Sequence, residues 1–463
     1  MKTLRFPTSR FTITATLFFM ALTSLEIATA PTVFNVLDFG AAGDGMALAT
    51  AGIQKAIDAA AAVGGNAQVL VPRGHRFLVG TLELRSGIDF HLAGDLVIST
   101  NPADYQGDGV ITALNAQNLR LTGSGKVSGR SLEFMTGYDA TNEWWLFREW
   151  RPKLFVLTGC TNLEIRDLTF GDAPFWGLHL LGCKKVLVDH VTVRNRLDVP
   201  NCDGIDPDHC QDVEIRRCDI TCGDDAIVIK ATRQTNDFGP SANITIRDCV
   251  LRTQDSGLKI GTETTGDIHD ILFERCRIVT GSRGLTIQLR DEGSVSNVVF
   301  RDIRFTACYY SDPWWGRGEA ISFTAIPRTN TTRLGAIRNV LVQNVTGRAE
   351  NSVRVYGAGA GHLQGVRFEN VAIALDRWTR YPGGVFDNRP TKVFDPIVRH
   401  GTPGFSLVNA DNVTLKDCSV RWGGNRPDYF THALEATGVT DLRLTGFRGQ
   451  AAHPERDAAV WVR

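Results

Sequence analysis

A short apolar motif returns ten times along the chain, and no other feature restricts the fold as much. Each copy has the form apolar-x-apolar-x-x-apolar. The middle apolar positions are Ile165, Val188, Ile215, Ile246, Phe273, Phe300, Val342, Phe368, Leu415 and Leu444. Three residues later stand Leu168, Val191, Cys218, Cys249, Cys276, Ile303, Val345, Val371, Cys418 and Phe447. Several intervals are 27 residues, among them 188 to 215 and 246 to 273, while 300 to 342 and 368 to 415 leave room for inserted loops. Every copy is too short for a helix, alternates with strand period and is bounded by Gly, Asn or Asp. One such coil cannot bury its own apolar face, but a stack of coils can, because each adds a residue to a shared ladder. A leucine-rich horseshoe would also repeat, yet the copies lack its leucine-asparagine pattern and its helical half. The repeat predicts an all-β parallel β-helix.

Other features fit this frame. Thr50 stands where it would cap a helix with apolar positions Ile53, Ile57 and Ala60, ending at Gly64-Gly65, which would cover the open first coil. The ten cysteines include Cys160, Cys183 and Cys210 in one repeat slot and Cys218, Cys249 and Cys276 in another. Coils lie about 4.8 Å apart, within disulfide reach, but residues that interchange with Leu, Val and Ile read as buried thiols first. Asn-x-Thr sequences begin at Asn243, Asn330, Asn344 and Asn412, and most fall at turns of the repeat. Lysine plus arginine equals aspartate plus glutamate at 50 each, so charge gives no reason to expect nucleic acid or an anionic membrane as partner.

The first thirty residues differ in kind. Lys2, Arg5 and Arg10 precede an apolar run from Phe11 to Leu22, followed by Ala28-Thr29-Ala30. This is the layout of a secretory signal peptide over 1–30, with an apolar run too short to span a bilayer. No linker interrupts the rest, so 31–463 reads as a single catalytic domain, secreted to a periplasmic or extracellular compartment.

The chemistry lies in a second aligned slot of the form x-small-apolar. It reads Trp176-Gly177-Leu178, Asp203-Gly204-Ile205, Asp225-Ala226-Ile227, Ser256-Gly257-Leu258, Arg283-Gly284-Leu285 and Glu319-Ala320-Ile321. In register, Asp203 and Asp225 stack on one outer face with Asp224 beside them. Three carboxylates so close repel, raising at least one pKa at a cost in stability. A lone Asp-Asp pair is usually a solvated turn; two acidic motifs one coil apart are better explained by catalysis, where one carboxyl stays protonated and another, ionised, activates water.

Asn201-Cys202-Asp203 and Gly223-Asp224-Asp225 resemble the Asn-Thr-Asp and Gly-x-Asp-Asp signatures of glycoside hydrolase family 28, the polygalacturonase family. The similarity runs from Phe34-Asn35-Val36 and Asp38-Phe39-Gly40 to beyond Arg421. The resemblance implies a right-handed parallel β-helix of the pectin-lyase-like kind, an inverting hydrolase of pectic polysaccharide or oligosaccharide, and no metal or other cofactor. It implies Asp224 as general acid, Asp203 and Asp225 as the pair that activates water, and Asn201 among the substrate-binding residues. Two signatures are altered. The Gly-His-Gly slot reads Asp255-Ser256-Gly257, and the Arg-Ile-Lys slot reads Thr286-Ile287-Gln288. The cations that would grip a galacturonate are missing there, so Lys259, Arg283 and Arg290, with Gln288, become the expected substrate-binding groups, and a modified or branched pectic substrate is expected over plain polygalacturonate. Trp314-Trp315 either stacks on sugar rings or plugs a loop, and His179 reads as structural. Two rival readings are a calcium-dependent pectate-lyase-type eliminase and a non-catalytic carbohydrate-binding β-helix.

Overall fold

The computed structural model describes residues 30–65 and 67–463. The expected leader lies outside them, apart from Ala30. Each ladder residue of the repeat pairs with its successor, from Ile165 with Val188 to Leu415 with Leu444. All are buried except Leu444, which lies in the last turns of the stack and is 38% exposed. Three parallel faces result. Two form one 25-stranded sheet, joined by the 13-residue strands Ile337–Ala349 and Leu363–Leu375, which cross from one face to the next. The third face is a separate 13-stranded parallel sheet. Parallel strands joined by crossovers take the right-handed course, and the architecture is the expected right-handed parallel β-helix.

The turns explain the Asn and Asp content. Asp212, Asn243, Asp270, Asn297, Asn344 and Asn412 all have positive φ, a backbone region in which short amide and carboxylate side chains are tolerated. They also bond from coil to coil: Asn243 donates to Asp212 at 2.6 Å and Asn297 to Asp270 at 3.0 Å. All ten cysteines are buried free thiols. Those of Cys218, Cys249 and Cys276 each donate to the carbonyl two residues back, at 3.2–3.3 Å, which is how a small core residue satisfies a weak donor. The N-terminal helix spans Thr50–Val63 and buries Ile53, Ala56, Ile57 and Ala60 against the first strands. Thr50 does not cap it. The helix is entered from Ala49, and the Thr50 hydroxyl accepts from Gly80 N–H at 2.9 Å instead.

Phe273, Phe300 and Phe323 stack through the core, with centroids 4.7 and 5.6 Å apart. Phe300→Ala leaves a cavity in the middle of this column, for which a loss of about 3–5 kcal/mol is expected. Denaturant unfolding checks it; a loss below about 1 kcal/mol would show that the column contributes little.

Two insertions flank the third face. The antiparallel hairpin Met135–Asp139/Trp144–Phe147 precedes the strand Lys153–Thr158. The hairpin Val385–Asp387/Ile397–Arg399 follows Leu363–Leu375.

Candidate active site

On the third face the acidic slot is in register. Leu178, Ile205, Ile227, Leu258, Leu285 and Ile321 pair in sequence, as do Ser256, Arg283 and Glu319. The small residue is a steric condition of this corner. A Cβ on Gly204 would stand 2.3 Å from the Ala226 carbonyl oxygen, so only glycine lets the coil carrying Asp203 sit this close to the coil carrying Asp225.

One oxygen from each of Asp203, Asp224 and Asp225 lies within 4.8 Å of the other two. Asp224 is half-buried; its Oδ2 accepts from Asn201 N–H at 3.0 Å and its Oδ1 from Asp225 N–H at 2.9 Å. Asp225 is buried and meets Lys259 Nζ at 2.6 Å. Asp203 is buried with one oxygen unpartnered and the other 3.7 Å from Lys230 Nζ. The nearest oxygens are thus closer than the roughly 6.5–9.5 Å between the carboxyls of ordinary inverting pairs. A divalent cation also accepts clustered carboxylates, but here Lys259 already neutralises Asp225.

Burial, then Asp203 and Asp225, raises the Asp224 pKa to about 7. Asp203 is pushed well above the carboxylate range by burial, with Asp206 adding to it. Burial takes Asp206 to about 7, and burial with Asp225 takes Asp255 to about 8. These folded-state values exceed the unfolded value of about 3.9, so the stability they favour is full below about pH 4 and is withdrawn as pH climbs to 7–8. Asp189, held at about 2 chiefly by Arg217, and Glu263, held at about 2 by Lys230 and Arg328 against the effect of burial, behave oppositely: their contribution is present above about pH 4 and lost toward pH 2. Tm is therefore expected to peak in mild acid and fall on both sides. A Tm rising steadily from pH 5 to pH 8 would contradict these environments.

The aspartates face a cavity of about 320 Å³ walled by Trp144, Phe147, Trp176, Trp314 and Trp315. Asn201 and Lys259 line it as well. Asn201 has φ 58° and its side chain accepts from Arg151 Nη2 at 3.0 Å. Lys259 is turned to Asp225 rather than left free for a ligand. Its pKa is raised although burial acts to lower it, because Asp225 and Asp255 outweigh the desolvation.

Arg283, Gln288 and Arg290 are not brought to the cavity. Each is at most 1% exposed. Arg283 lies 3.5–3.8 Å from Asp387, Glu319 and Asp255, and Gln288 donates to the Arg389 carbonyl at 3.2 Å. Arg290 is spent on the carbonyls of Leu289, Thr324, Asn388 and Arg389. The cause is the insertion after Leu375, whose Asp387–Pro390 segment lies over these strands and turns outward-facing residues into a buried wall. His179 is buried and bonded to Asp208 at 3.1 Å, and burial lowers its pKa.

Several cavity residues carry a sequence signal that the repeat slot alone does not reveal. Buried Lys230 Nζ stands 3.9 Å from buried Asp206 and 3.3 Å from half-buried Glu263. Asp206 and Lys230 occupy outward strand positions, so strand alternation past the slot marks them. Trp144 and Phe147 lie in a hairpin outside the repeat, where no periodicity points to them.

The sequence profile of glycosyl hydrolases family 28 matches residues 63–380. The chain belongs to that family. It is 26% identical over 279 residues to a probable polygalacturonase of Vitis vinifera, covering 55% of this chain and 56% of that one, so it spans little more than half of that relative. It is 25% identical over 331 residues to an exopolygalacturonase of Zea mays, covering 68% of this chain and 76% of that one. Among solved structures, a hyperthermoactive exopolygalacturonase from Thermotoga maritima superposes with a TM-score of 0.62 at 22% identity, covering 75% of this chain and 88% of that one. The Yersinia enterocolitica family 28 exopolygalacturonase gives 0.59 at 18% identity, over 94% and 78%. At these identities the structural likeness is one of fold. Within the family 28 chain, no helix among the described residues is long and apolar enough to cross a membrane.

Proposed function

We propose that this family 28 protein is an exported glycoside hydrolase that cleaves a pectic chain from its end with inversion, Asp224 acting as general acid and Asp203 and Asp225 as the pair that activates water. The observation that carries this is the division within one triangle: Asp225 is paired with Lys259 at 2.6 Å, whereas Asp224, among the described residues, accepts only from the backbone N–H groups of Asn201 and Asp225, and burial beside two other carboxyls raises its pKa. Acid and base chemistry at one pH needs such a division between environments. With Asp224 as the acid, kcat/KM is expected to fall as pH rises through about 7, because the proton it must donate is lost there.

End-on attack is supported by a roof over the cleft. The hairpin carrying Trp144 and the loops after Ala307 and Leu375 meet across the intervening strands. Glu143 pairs with Arg380 and Tyr381, Ser311 bonds to the Asn142 carbonyl, and Trp144 packs edge-on against Trp314 at 5.8 Å. A polymer cannot be laid into a roofed groove from the side, whereas a chain end can enter it. The exopolygalacturonase relatives agree with this reading. The expected products are mono- or disaccharide from the first minutes, with viscosity falling slowly; rapid viscosity collapse with mixed oligomers would overturn it.

The cavity is not cationic. Asp203, Asp224, Asp225, Asp255 and Glu263 face only Lys230 and Lys259, both within ion-pair distance of carboxylates. An anionic galacturonate at the scissile position gains little here, which supports a modified or branched pectic substrate, such as a rhamnogalacturonan or a side chain, over plain polygalacturonate. The ratio of kcat/KM on the two substrate types measures it.

A further inference from the structure

A second cavity opens on the same sheet, beyond the buried wall. It encloses about 270 Å³, and its strands carry Arg354, Ser406 and Glu435 side by side in register. The strand of Arg354 is four places along the sheet from Ile227–Ala231, the strand that follows Asp225, roughly 19 Å away at about 4.8 Å per step. We propose that this cavity is a second carbohydrate site, which binds one neutral sugar unit away from the catalytic aspartates.

The floor is built and buried. Arg354, Asn388 and Ser406 are 2–3% exposed, while Glu435 and His400 form a half-buried rim. The Arg354 guanidinium is fixed by the Asp387 carbonyl at 3.1 Å and Asn388 Oδ1 at 2.7 Å, and it packs on Tyr356 and Phe386 at 4.8 and 4.5 Å from the ring centroids. Its Nε has no hydrogen-bond partner among the described residues.

The chemistry selects a hydroxylated, uncharged ligand. The lining holds one guanidinium, Arg354, and one carboxylate, Glu435, which stands 3.5 Å from His400 Nε2, so a uronate meets the repulsion of Glu435 and a neutral unit does not. A sugar hydroxyl both donates and accepts and is served by Arg354, Ser406 and Glu435 together. Phe386 and Tyr356 supply the apolar surface on which the C–H face of a pyranose rests. Asp387 separates this cavity from the catalytic one, receiving Gly316 N–H at 2.8 Å and Arg389 at 2.7 Å. The second site therefore takes a branch or a distal residue rather than the unit next to the scissile bond.

The test is direct binding, by saturation-transfer NMR and calorimetry on the full chain, of galactose, arabinose and rhamnose with galacturonate as the anionic control. Its readout is independent of hydrolysis, so failure of the catalytic reading leaves it intact. At least one neutral sugar is expected to bind saturably, more tightly than galacturonate. Ser406→Leu, which fills the floor, and the milder rim variant Glu435→Ala should each weaken it by about tenfold or more, while Trp315→Ala and Asp224→Asn leave it unchanged. No saturable neutral-sugar binding, a preference for galacturonate, or binding that survives both cavity variants would overturn the proposal.

Discussion

Asp224→Asn is expected to lower hydrolysis by roughly 10²–10⁴-fold while leaving the fold intact. Asp224 accepts from Asn201 N–H through one oxygen and from Asp225 N–H through the other; asparagine keeps its size but can accept only one of these bonds, so removal of the transferable proton comes with a stability loss of about 1–3 kcal/mol. The loss should shrink on aryl glycosides, whose leaving groups depart without protonation, and the decline of kcat/KM above about pH 7 should disappear. Near-normal turnover on the natural linkage would remove Asp224 from the mechanism. An equal loss on aryl substrates would assign it to binding rather than to acid catalysis.

Lys259→Met should cost both activity and stability. The substitution leaves Asp225, 1% exposed, without the ammonium 2.6 Å away, and breaking a buried pair by removing one partner costs about 3–5 kcal/mol. The carboxylate proposed to activate water loses its counter-ion, and hydrolysis should fall by about 10² or more. Adding Asp225→Asn to Lys259→Met should recover much of the stability and none of the turnover, because the uncompensated charge is gone and so is the base. If Lys259 served instead as a grip for a substrate carboxylate, Lys259→Met would raise KM on anionic substrates and spare kcat and stability. Denaturant unfolding and steady-state kinetics on the two variants and the wild type separate the two roles.

The fold was legible because the repeat obeys one rule throughout: the residue that enters the ladder is apolar, and the next coil stacks on it. Ile246, Phe273 and Phe300 could be aligned by eye and pair as read. The aspartate triangle was legible for the same reason, since Asp203 and Asp225 occupy one slot of that register. Lys259 follows the same register, pairing with Thr286, but its charge partner is Asp225 on the preceding coil. Arg283, Gln288 and Arg290 follow the outward pattern and are nonetheless buried, because burial there is decided by the Asp387–Pro390 segment, about a hundred residues later in the chain. Loops obey no period, and their landing place is set by tertiary contacts. The roof formed by Trp144, Trp314, Glu143 and Tyr381 was hidden for the same reason. Asp206 and Lys230 needed only the next step of strand alternation.

The account turns on whether the aspartate triangle hydrolyses a glycosidic bond with Asp224 as its acid, and proton NMR of the first product addresses this most directly. Pectic polysaccharides of different composition, rhamnogalacturonan among them, would be incubated with the wild-type protein and with Asp224→Asn in buffered chelator, and the first new anomeric signal followed. The predicted result is a saturated reducing end of configuration opposite to the cleaved linkage, released by the wild type, unaffected by chelator and nearly absent from the variant. An unsaturated, ultraviolet-absorbing end abolished by chelator, a product of retained configuration, or no product from any of the polysaccharides would contradict it.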